Sequence, residues 1–264
     1  MAFEDEGFLS SELTDWTTAT RAQFKDWFEL VYDLNRDAMK LLSAIKPEPN
    51  QKREWVAALL YRRALQSFQG AVVMGERGMI TEALTLVRSC AETAIAVGGV
   101  VTDETFIGDL IEDHHKHRLS YSTAILTDPE SAPFLTPDQI KNLEHVVAEV
   151  KGLYQAGPRR INWEQAAKKA KMTDLYITIY RMTSGDAAHA TVQALDRHVE
   201  PDDQGRIKSL TFRPETRDLG YALSVAANAL LHAMVAITRL FPSQEFEQTV
   251  QSRMSQWQEL FHNS

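Results

Sequence analysis

The sequence has a single cysteine, which excludes an internal disulfide. Cys90 falls on the apolar face of a predicted helix, a position typical of a buried thiol in a reducing compartment. The first 15 residues, MAFEDEGFLSSELTD, lack the basic start and the apolar run of a signal peptide. Together these absences predict a cytoplasmic protein.

The chain also lacks an excess of positive charge. Its 28 basic and 36 acidic residues give a net charge of −8. This balance argues against nonspecific binding to nucleic acid or to anionic membranes, because both need a basic surface. The net charge does not exclude RNA binding in a local basic groove, since the charge of the groove itself decides such binding.

Repeats, low-complexity tracts and linkers are absent as well. The content of 44% hydrophobic and 24% charged residues is ordinary for a globular protein, and 264 residues can bury a substantial core. We therefore predict a flexible acidic N-terminal arm over residues 1–20 and a single helical-bundle domain over residues 21–264.

Apolar residues recur at three- and four-residue spacing along most of the chain, which predicts an all-α multi-helix bundle. Turn residues around Pro201–Gly205 separate two short extended runs, which predict one small β-hairpin. The predicted helices span about residues 16–45, 52–74, 79–100, 105–125, 137–154, 163–169, 173–197, 217–240 and 243–261.

The segment from Leu219 to Ile237 is apolar and close in length to a membrane span. Ser224, Asn228 and His232 recur in it every four residues and form one polar stripe. A helix surrounded by lipid would not ordinarily carry such a stripe. We predict a central helix of the bundle whose stripe faces other polar side chains, and no membrane partner.

Arg88 and Glu92 lie one turn apart at the edge of an apolar helix face. An exposed pair of this kind is worth only about 0.2–1 kcal/mol and often has no function. Partial burial at the edge of the apolar face would make Arg88 a planar donor that can hold a phosphate or a carboxylate.

A second group of polar residues interrupts an apolar helix: Tyr180, Arg181, Ser184, Asp186 and His189. Asp186 and His189 are one turn apart, so the carboxylate could orient the imidazole. Ser184 and His189 are five residues apart and diverge on a regular helix, which argues against a serine-hydrolase triad. Hydrogen bonds that tie this helix to its neighbours explain the group equally well.

Glu112-x-x-His115 has the spacing with which helical bundles bind di-iron centres. Asp186-x-x-His189 would be the second pair, with Glu92 as a further ligand. Di-iron bundles use two Glu-x-x-His motifs, and histidines among alternating charges more often form a solvated face. We predict no metal ion and no cofactor.

Several of these positions form a pattern that resembles a bacterial family of uncharacterised helical proteins, catalogued as a domain of unknown function. The resemblance covers roughly residues 55 to 240 and implies no established activity. It rests on Glu82-Ala-Leu-x-Leu-x-Arg88-Ser-x-x-Glu92, Trp163…Ala166-x-x-x-Ala170 and Tyr176-x-x-x-Tyr180-Arg-x-x-Ser184…His189. The signature positions that it implies are Arg88, Glu92, Tyr180, Ser184 and His189.

The chain is similar, more loosely, to the helical HEPN ribonucleases of toxin–antitoxin and phage-defence systems. Those enzymes use an arginine and a histidine four to six residues apart to cleave RNA without a metal. Seven residues separate Arg181 and His189 here. Arg88 would therefore have to supply the cation from another helix.

Three hypotheses remain open. The first is a metal-independent nuclease or phosphodiesterase, with His189 as general acid–base, Arg88 on the phosphate, and Glu92 or Ser184 orienting them. The second is a noncatalytic module that senses a small molecule or binds a protein partner. The third is a structural polar network, with the function on an outer surface.

The expected ligand is a small molecule or RNA. The ligand-binding residues that we predict beside the catalytic set are Tyr180, Arg181, Asn228 and His232. The amphipathic first and last helices of the bundle also predict a homodimer.

Overall fold

The computed structural model describes residues 2–183 and 192–263. It is an all-α bundle with one small β-hairpin, which confirms the predicted fold class. The chain divides into two compact units, one made of residues 1–102 and 163–264 and the other of residues 103–162. The boundary between a flexible arm and one helical domain stays a prediction.

Most helices of the larger unit lie within or close to the predicted ranges, whereas the first lies in the predicted N-terminal arm and the range 173–197 begins with a short α-helix and a π-helix. The helices of this unit are α1 (Phe3–Glu6), α2 (Leu13–Gln23), α3 (Lys25–Ala44), α4 (Lys52–Glu76) and α5 (Ile80–Thr102), then α8 (Trp163–Ala170), α9 (Thr173–Leu175), a π-helix (Tyr176–Arg181), α10 (Val192–Leu195), α11 (Leu219–Leu240) and α12 (Gln244–Asn263). Short 3₁₀ turns follow α1 (Gly7–Leu9) and α10 (Asp196–His198).

The core lies where α4, α5 and α11 pack against one another. Helices α5 and α11 are apolar around most of their circumference, and such helices belong inside a protein or a membrane. Both are long and apolar enough to span a membrane, and 61% and 72% of their most apolar windows are buried inside the protein. Burial of this extent is typical of core helices, so length and composition alone are weak support for a membrane span.

One predicted helix is two helices in the structure. The segment predicted as a single helix over residues 16–45 breaks at Phe24, whose backbone angles of φ −109° and ψ 37° lie outside the α-helical region. Phenylalanine is an acceptable helix residue, and neither glycine nor proline marks the break. Trp27 and Phe28, which follow the break on α3, are both buried.

The hairpin pairs β1 (Val199–Pro201) with β2 (Ile207–Leu210) in antiparallel fashion. Its turn ends at Gly205, whose φ of +75° is accessible to glycine without strain. The Asp202 carboxylate accepts hydrogen bonds from the backbone N–H groups of Gln204 and Arg206, both at 2.9 Å. The turn is thus fixed by one aspartate.

The smaller unit is a helical hairpin of α6 (Phe106–Thr127) and α7 (Pro137–Leu153), with a 3₁₀ turn at Ala132–Phe134. Thr136 and Gln139 form a reciprocal capping box at the start of α7, and Pro137 occupies its first position. Arg118 of α6 and Glu149 of α7 form an ion pair at 3.2 Å.

Candidate functional site

Arg88 and Tyr180 contact each other although they are 92 residues apart in the chain. The guanidinium carbon of Arg88 lies 4.7 Å from the centre of the Tyr180 ring. An Nη2 hydrogen of the same group points to the phenol oxygen at 3.3 Å. Both residues are half-buried. A cation over an aromatic face is attracted by the negative potential of that face, so the ring holds the guanidinium in one orientation.

Tyr180 lies on the π-helix rather than on the α-helix that the sequence predicts. Tyr176, at the start of the π-helix, stacks on Tyr180 with ring centres 5.2 Å apart and planes inclined by 19°. Arg88, Tyr180 and Tyr176 thus form a column of one cation and two rings. Short π-helical segments are rare and often occur at functional sites.

The other predicted residues near this column are Glu92 and Arg181. Glu92 follows Arg88 by one turn on α5 and is half-buried. Arg181 ends the π-helix and is exposed. The pKa of the Glu164 carboxyl is lowered, first by its hydrogen bond with Lys168 and in smaller part by the charge of Arg181. Arg181 is therefore close enough to the charged side of α8 to act on Glu164.

Asn228 and His232 lie on α11 and meet a different partner. The Nδ1 hydrogen of His232 points to the backbone carbonyl oxygen of Asn228 at 3.0 Å, which leaves Nε2 directed at Asp174, 3.5 Å from Oδ2. Ser224, the third residue of the polar stripe, accepts a hydrogen bond from Nε1 of Trp257 at 3.1 Å. The stripe is therefore joined to α9 at one end and to α12 at the other.

Ser184, Asp186 and His189 lie outside the described residues. Their predicted roles as orienting group, carboxylate partner and general acid–base stay predictions from the sequence. The contact of Arg88 with Tyr180 brings α5 next to the helical segment that leads toward them.

The two residues of the Glu112-x-x-His115 motif on α6 have other partners. The carboxylate of Glu112 accepts hydrogen bonds from the Arg159 guanidinium at 2.8 and 3.0 Å, and these bonds hold its pKa below the ordinary range. His115 Nδ1 lies 3.0 Å from the Tyr154 hydroxyl oxygen. Among the described residues, no three His, Cys, Asp or Glu side chains are placed to hold a metal ion.

A family model described as a family of unknown function, DUF5677, matches residues 54–206, more than half of the chain. The chain belongs to DUF5677. The matched range begins where the sequence resemblance predicts, but it ends at residue 206 and not near residue 240, so α11 lies outside it. No curated protein and no solved structure matches the chain.

The DUF5677 range separates the candidate residues into two sets. Arg88, Glu92, Tyr180 and Arg181 lie inside it, whereas Asn228 and His232 lie outside it. The column formed by Arg88 and the two tyrosines thus belongs entirely to the family region, and the His232–Asp174 pair joins that region to α11.

Sequence reasoning did not single out Asp174 or the role of Tyr176. Asp174 lies two residues before the π-helix, and in the sequence it looks like an ordinary acidic residue near the start of a helix. The spacing of Tyr176 and Tyr180 by four residues was the available indication of a stack, because residues four apart share a helix face. The indication of a π-helix was absent, since π-helices have no strong residue preference that marks them.

Proposed function

We propose that the protein binds a phosphate-bearing ligand at Arg88. The observation that carries this proposal is the contact with Tyr180, which holds a half-buried guanidinium over its ring at 4.7 Å. Guanidinium groups present several N–H donors in one plane and match the oxygens of phosphate. A donor group that is already oriented loses less entropy when its ligand binds.

The surroundings of Arg88 support this proposal by contrast with other arginines. Arg21 is paired with Glu76, Arg159 with Glu112, and Arg253 with Asp33 and Asp37. Within residues 2–183 and 192–263, the only partner recorded for the Arg88 side chain is Tyr180. Among these residues no carboxylate forms an ion pair with Arg88, and in the proposal an anionic ligand takes that place.

We further propose that the ligand is a phosphodiester and that the protein cleaves it without a metal ion, as a nuclease or phosphodiesterase does. Arg88 would stabilise the charge that develops on the phosphate oxygens. His189 would take the proton of the attacking hydroxyl and return a proton to the leaving oxygen. Glu92 or Ser184 would orient these groups. The roles of His189 and Ser184 rest on the sequence alone.

A noncatalytic module that senses a small molecule is the second candidate. The observation in its favour is the composition of the column, one guanidinium and two phenol rings. These groups can bind a phosphate and stack on a flat ring, but none of the three can act as a general base near neutral pH. A phosphorylated molecule with a flat ring would suit these groups. This candidate shares the phosphate site with the first and differs from it only in turnover.

Two measurements test the proposal. Calorimetric titration with inorganic phosphate and with a short single-stranded oligoribonucleotide measures binding. Hydrolysis of bis(p-nitrophenyl) phosphate and of the same RNA, in the presence of a chelator, measures turnover. We expect Arg88→Ala to weaken binding by about tenfold or more, because hydrogen bonds to a charged group contribute roughly 1.5–3 kcal/mol. We expect Arg88→Lys to restore part of it.

Arg62→Ala is the matched control, since Arg62 is an exposed arginine of α4 and the substitution removes the same charge. Binding that falls equally in both variants would mean a general charge effect. Wild-type protein that binds neither probe at millimolar concentration would disprove the phosphate site. Binding without turnover, unchanged by His189→Ala, would decide for the sensing module.

The compartment and the assembly remain proposals from the sequence. The free, buried thiol of Cys90 suits a reducing compartment such as the cytoplasm, and the amphipathic outer helices support a homodimer. Light scattering at several protein concentrations would decide the second point.

A further inference from the structure

A cleft of about 510 Å³ lies in the larger unit, between the start of α5 and the β-hairpin. Its wall combines apolar side chains, such as Ile80 and Phe212, with charged ones, such as Arg213 and Glu200. The volume lies within the range of about 300–1,000 Å³ that is usual for small-molecule sites. The cleft is separate from the column at Arg88, whose residues do not line it.

The N-terminal segment Phe3–Leu9 reaches this cleft through one of its residues. Phe8 lines it directly. The rings of Phe3, Phe8 and Phe212 form a cluster with centres 5.3–6.2 Å apart, and Phe8 meets each of the other two edge to face. Gly7 has a φ of +55°, and a Cβ there would come within 3.1 Å of the Phe212 ring. The chain therefore passes close over the hairpin.

The attachment of this segment is slight. None of the residues from Phe3 to Leu9 is buried, and Phe212 itself is 67% exposed. Polar contacts within the described part of the chain supplement the rings: Arg77 donates to the Phe8 carbonyl oxygen at 2.8 Å, and the Phe3 N–H donates to Glu12 Oε2 at 2.9 Å. Segments with few buried contacts open at low free-energy cost.

We propose that Phe3–Leu9 is a strap that controls access to the cleft at the start of α5. The structure holds the closed arrangement, in which the rings of Phe3 and Phe8 rest on Phe212. Release of the two rings removes Phe8 from the wall and so widens access to the other residues of the cleft, Thr81 among them. The strap is independent of the phosphate site, so each proposal can fail without the other.

Cysteine labelling tests the strap. Thr81 lines the cleft and is half-buried, so Thr81→Cys reports on access. The native Cys90 is fully buried, with a pKa raised by burial to about 12, and contributes little background. We expect Phe3→Ala combined with Phe8→Ala to speed the reaction of Thr81→Cys with a maleimide about tenfold, because labelling follows the population of the open form. Phe212→Ala should also speed the labelling of Thr81→Cys, because it removes the ring on which Phe3 and Phe8 rest.

Two controls make the result specific. Leu9→Ala changes a strap residue that is 88% exposed and outside the ring cluster, so it should leave the labelling rate unchanged. Thr123→Cys, exposed on α6, should react at the same rate in every background. Met79→Cys is a second reporter if Thr81→Cys does not fold. Equal labelling rates with and without Phe3, Phe8 and Phe212 would disprove the strap, as would a parallel increase at Thr123→Cys.

Discussion

The Arg88 guanidinium lies 4.7 Å from the centre of the Tyr180 ring and also points an N–H at the Tyr180 oxygen, at 3.3 Å. The distance of 3.3 Å is long for a hydrogen bond, which indicates that the ring face, more than the hydroxyl, holds the arginine. In the proposed phosphate site Tyr180 would therefore position Arg88 for the ligand.

Substitution of Tyr180 separates the ring from the hydroxyl. We expect Tyr180→Phe to change phosphate binding by no more than about threefold, because the aromatic face remains. We expect Tyr180→Leu to weaken it about tenfold, since the loss of a partly desolvated cation–π contact costs roughly 1–2 kcal/mol. Calorimetric titration with inorganic phosphate measures both.

Thermal unfolding of the two variants serves as the control for that experiment. If Tyr180→Leu strongly lowers the melting temperature but leaves the affinity for phosphate unchanged, Tyr180 has only a structural role. Tyr180→Phe with the same loss of affinity as Tyr180→Leu would place the effect in the hydroxyl.

A methyl group at Gly98 should disturb the packing of α5 on α8. An added Cβ would lie 2.8 Å from Met172 Cε and 2.9 Å from Ala170 Cβ. The methionine end can move, but the alanine Cβ is fixed to its helix. We expect Gly98→Ala to destabilise the protein by about 1–3 kcal/mol, as overpacking of a core does.

Gly108→Ala is the matched substitution, since nothing lies within 4 Å of an added Cβ there. It should leave stability unchanged or raise it by about 0.5–1 kcal/mol, because alanine favours the helix. Urea unfolding curves compare the two. Equal effects would mean that α5 and α8 do not approach as closely as the structure has them.

The thiol of Cys90 should be inert in the folded protein. Burial raises its pKa to about 12, so fewer than roughly one thiol in a thousand is ionised at about pH 8, and only the thiolate reacts. We expect no reaction with a chromogenic disulfide reagent over an hour, and one thiol per chain in denaturant. Rapid reaction of the native protein would contradict the buried position on α5.

Acid should weaken the contact between Glu112 and Arg159. The hydrogen bonds from Arg159 hold the pKa of the Glu112 carboxyl below its ordinary value of 4.5. A lowered pKa in the folded state contributes stability that is present above the unfolded value and is lost as the pH falls through the folded value. We expect the melting temperatures of wild type and Glu112→Gln to differ near neutral pH and to converge toward about pH 3.

Glu144→Gln provides the comparison, as Glu144 is an exposed residue of α7. The difference in melting temperature between Glu144→Gln and the wild type should stay constant as the pH falls. A constant difference between Glu112→Gln and wild type at every pH would mean that the carboxyl charge is not what Arg159 stabilises.

Much of the fold follows from the periodicity of the sequence. The predicted ends of α4, α5 and α11 lie within about two residues of the observed ones, because long amphipathic or apolar helices bury a face that repeats with the helix. The break at Phe24 escaped prediction, since the segment carries neither glycine nor proline there and the apolar spacing continues across it.

The candidate site follows from the sequence only in part. The family resemblance places Arg88 and Tyr180 among the same signature positions. Their contact, however, joins residues far apart in the chain and depends on how whole helices pack. The pairing of His232 with Asp174 has the same origin. Residue types indicate which chemistry is present, whereas the fold decides which groups meet.

The π-helix at Tyr176–Arg181 has a consequence for relatives of this chain. A π-turn holds one residue more than an α-turn, so this stretch amounts to a one-residue insertion absorbed inside a helix instead of in a loop. A relative one residue shorter here would wind as a plain α-helix and turn a different side chain toward the position of Arg88. The length of this stretch, as much as the identity of its residues, thus decides whether the arginine meets its ring.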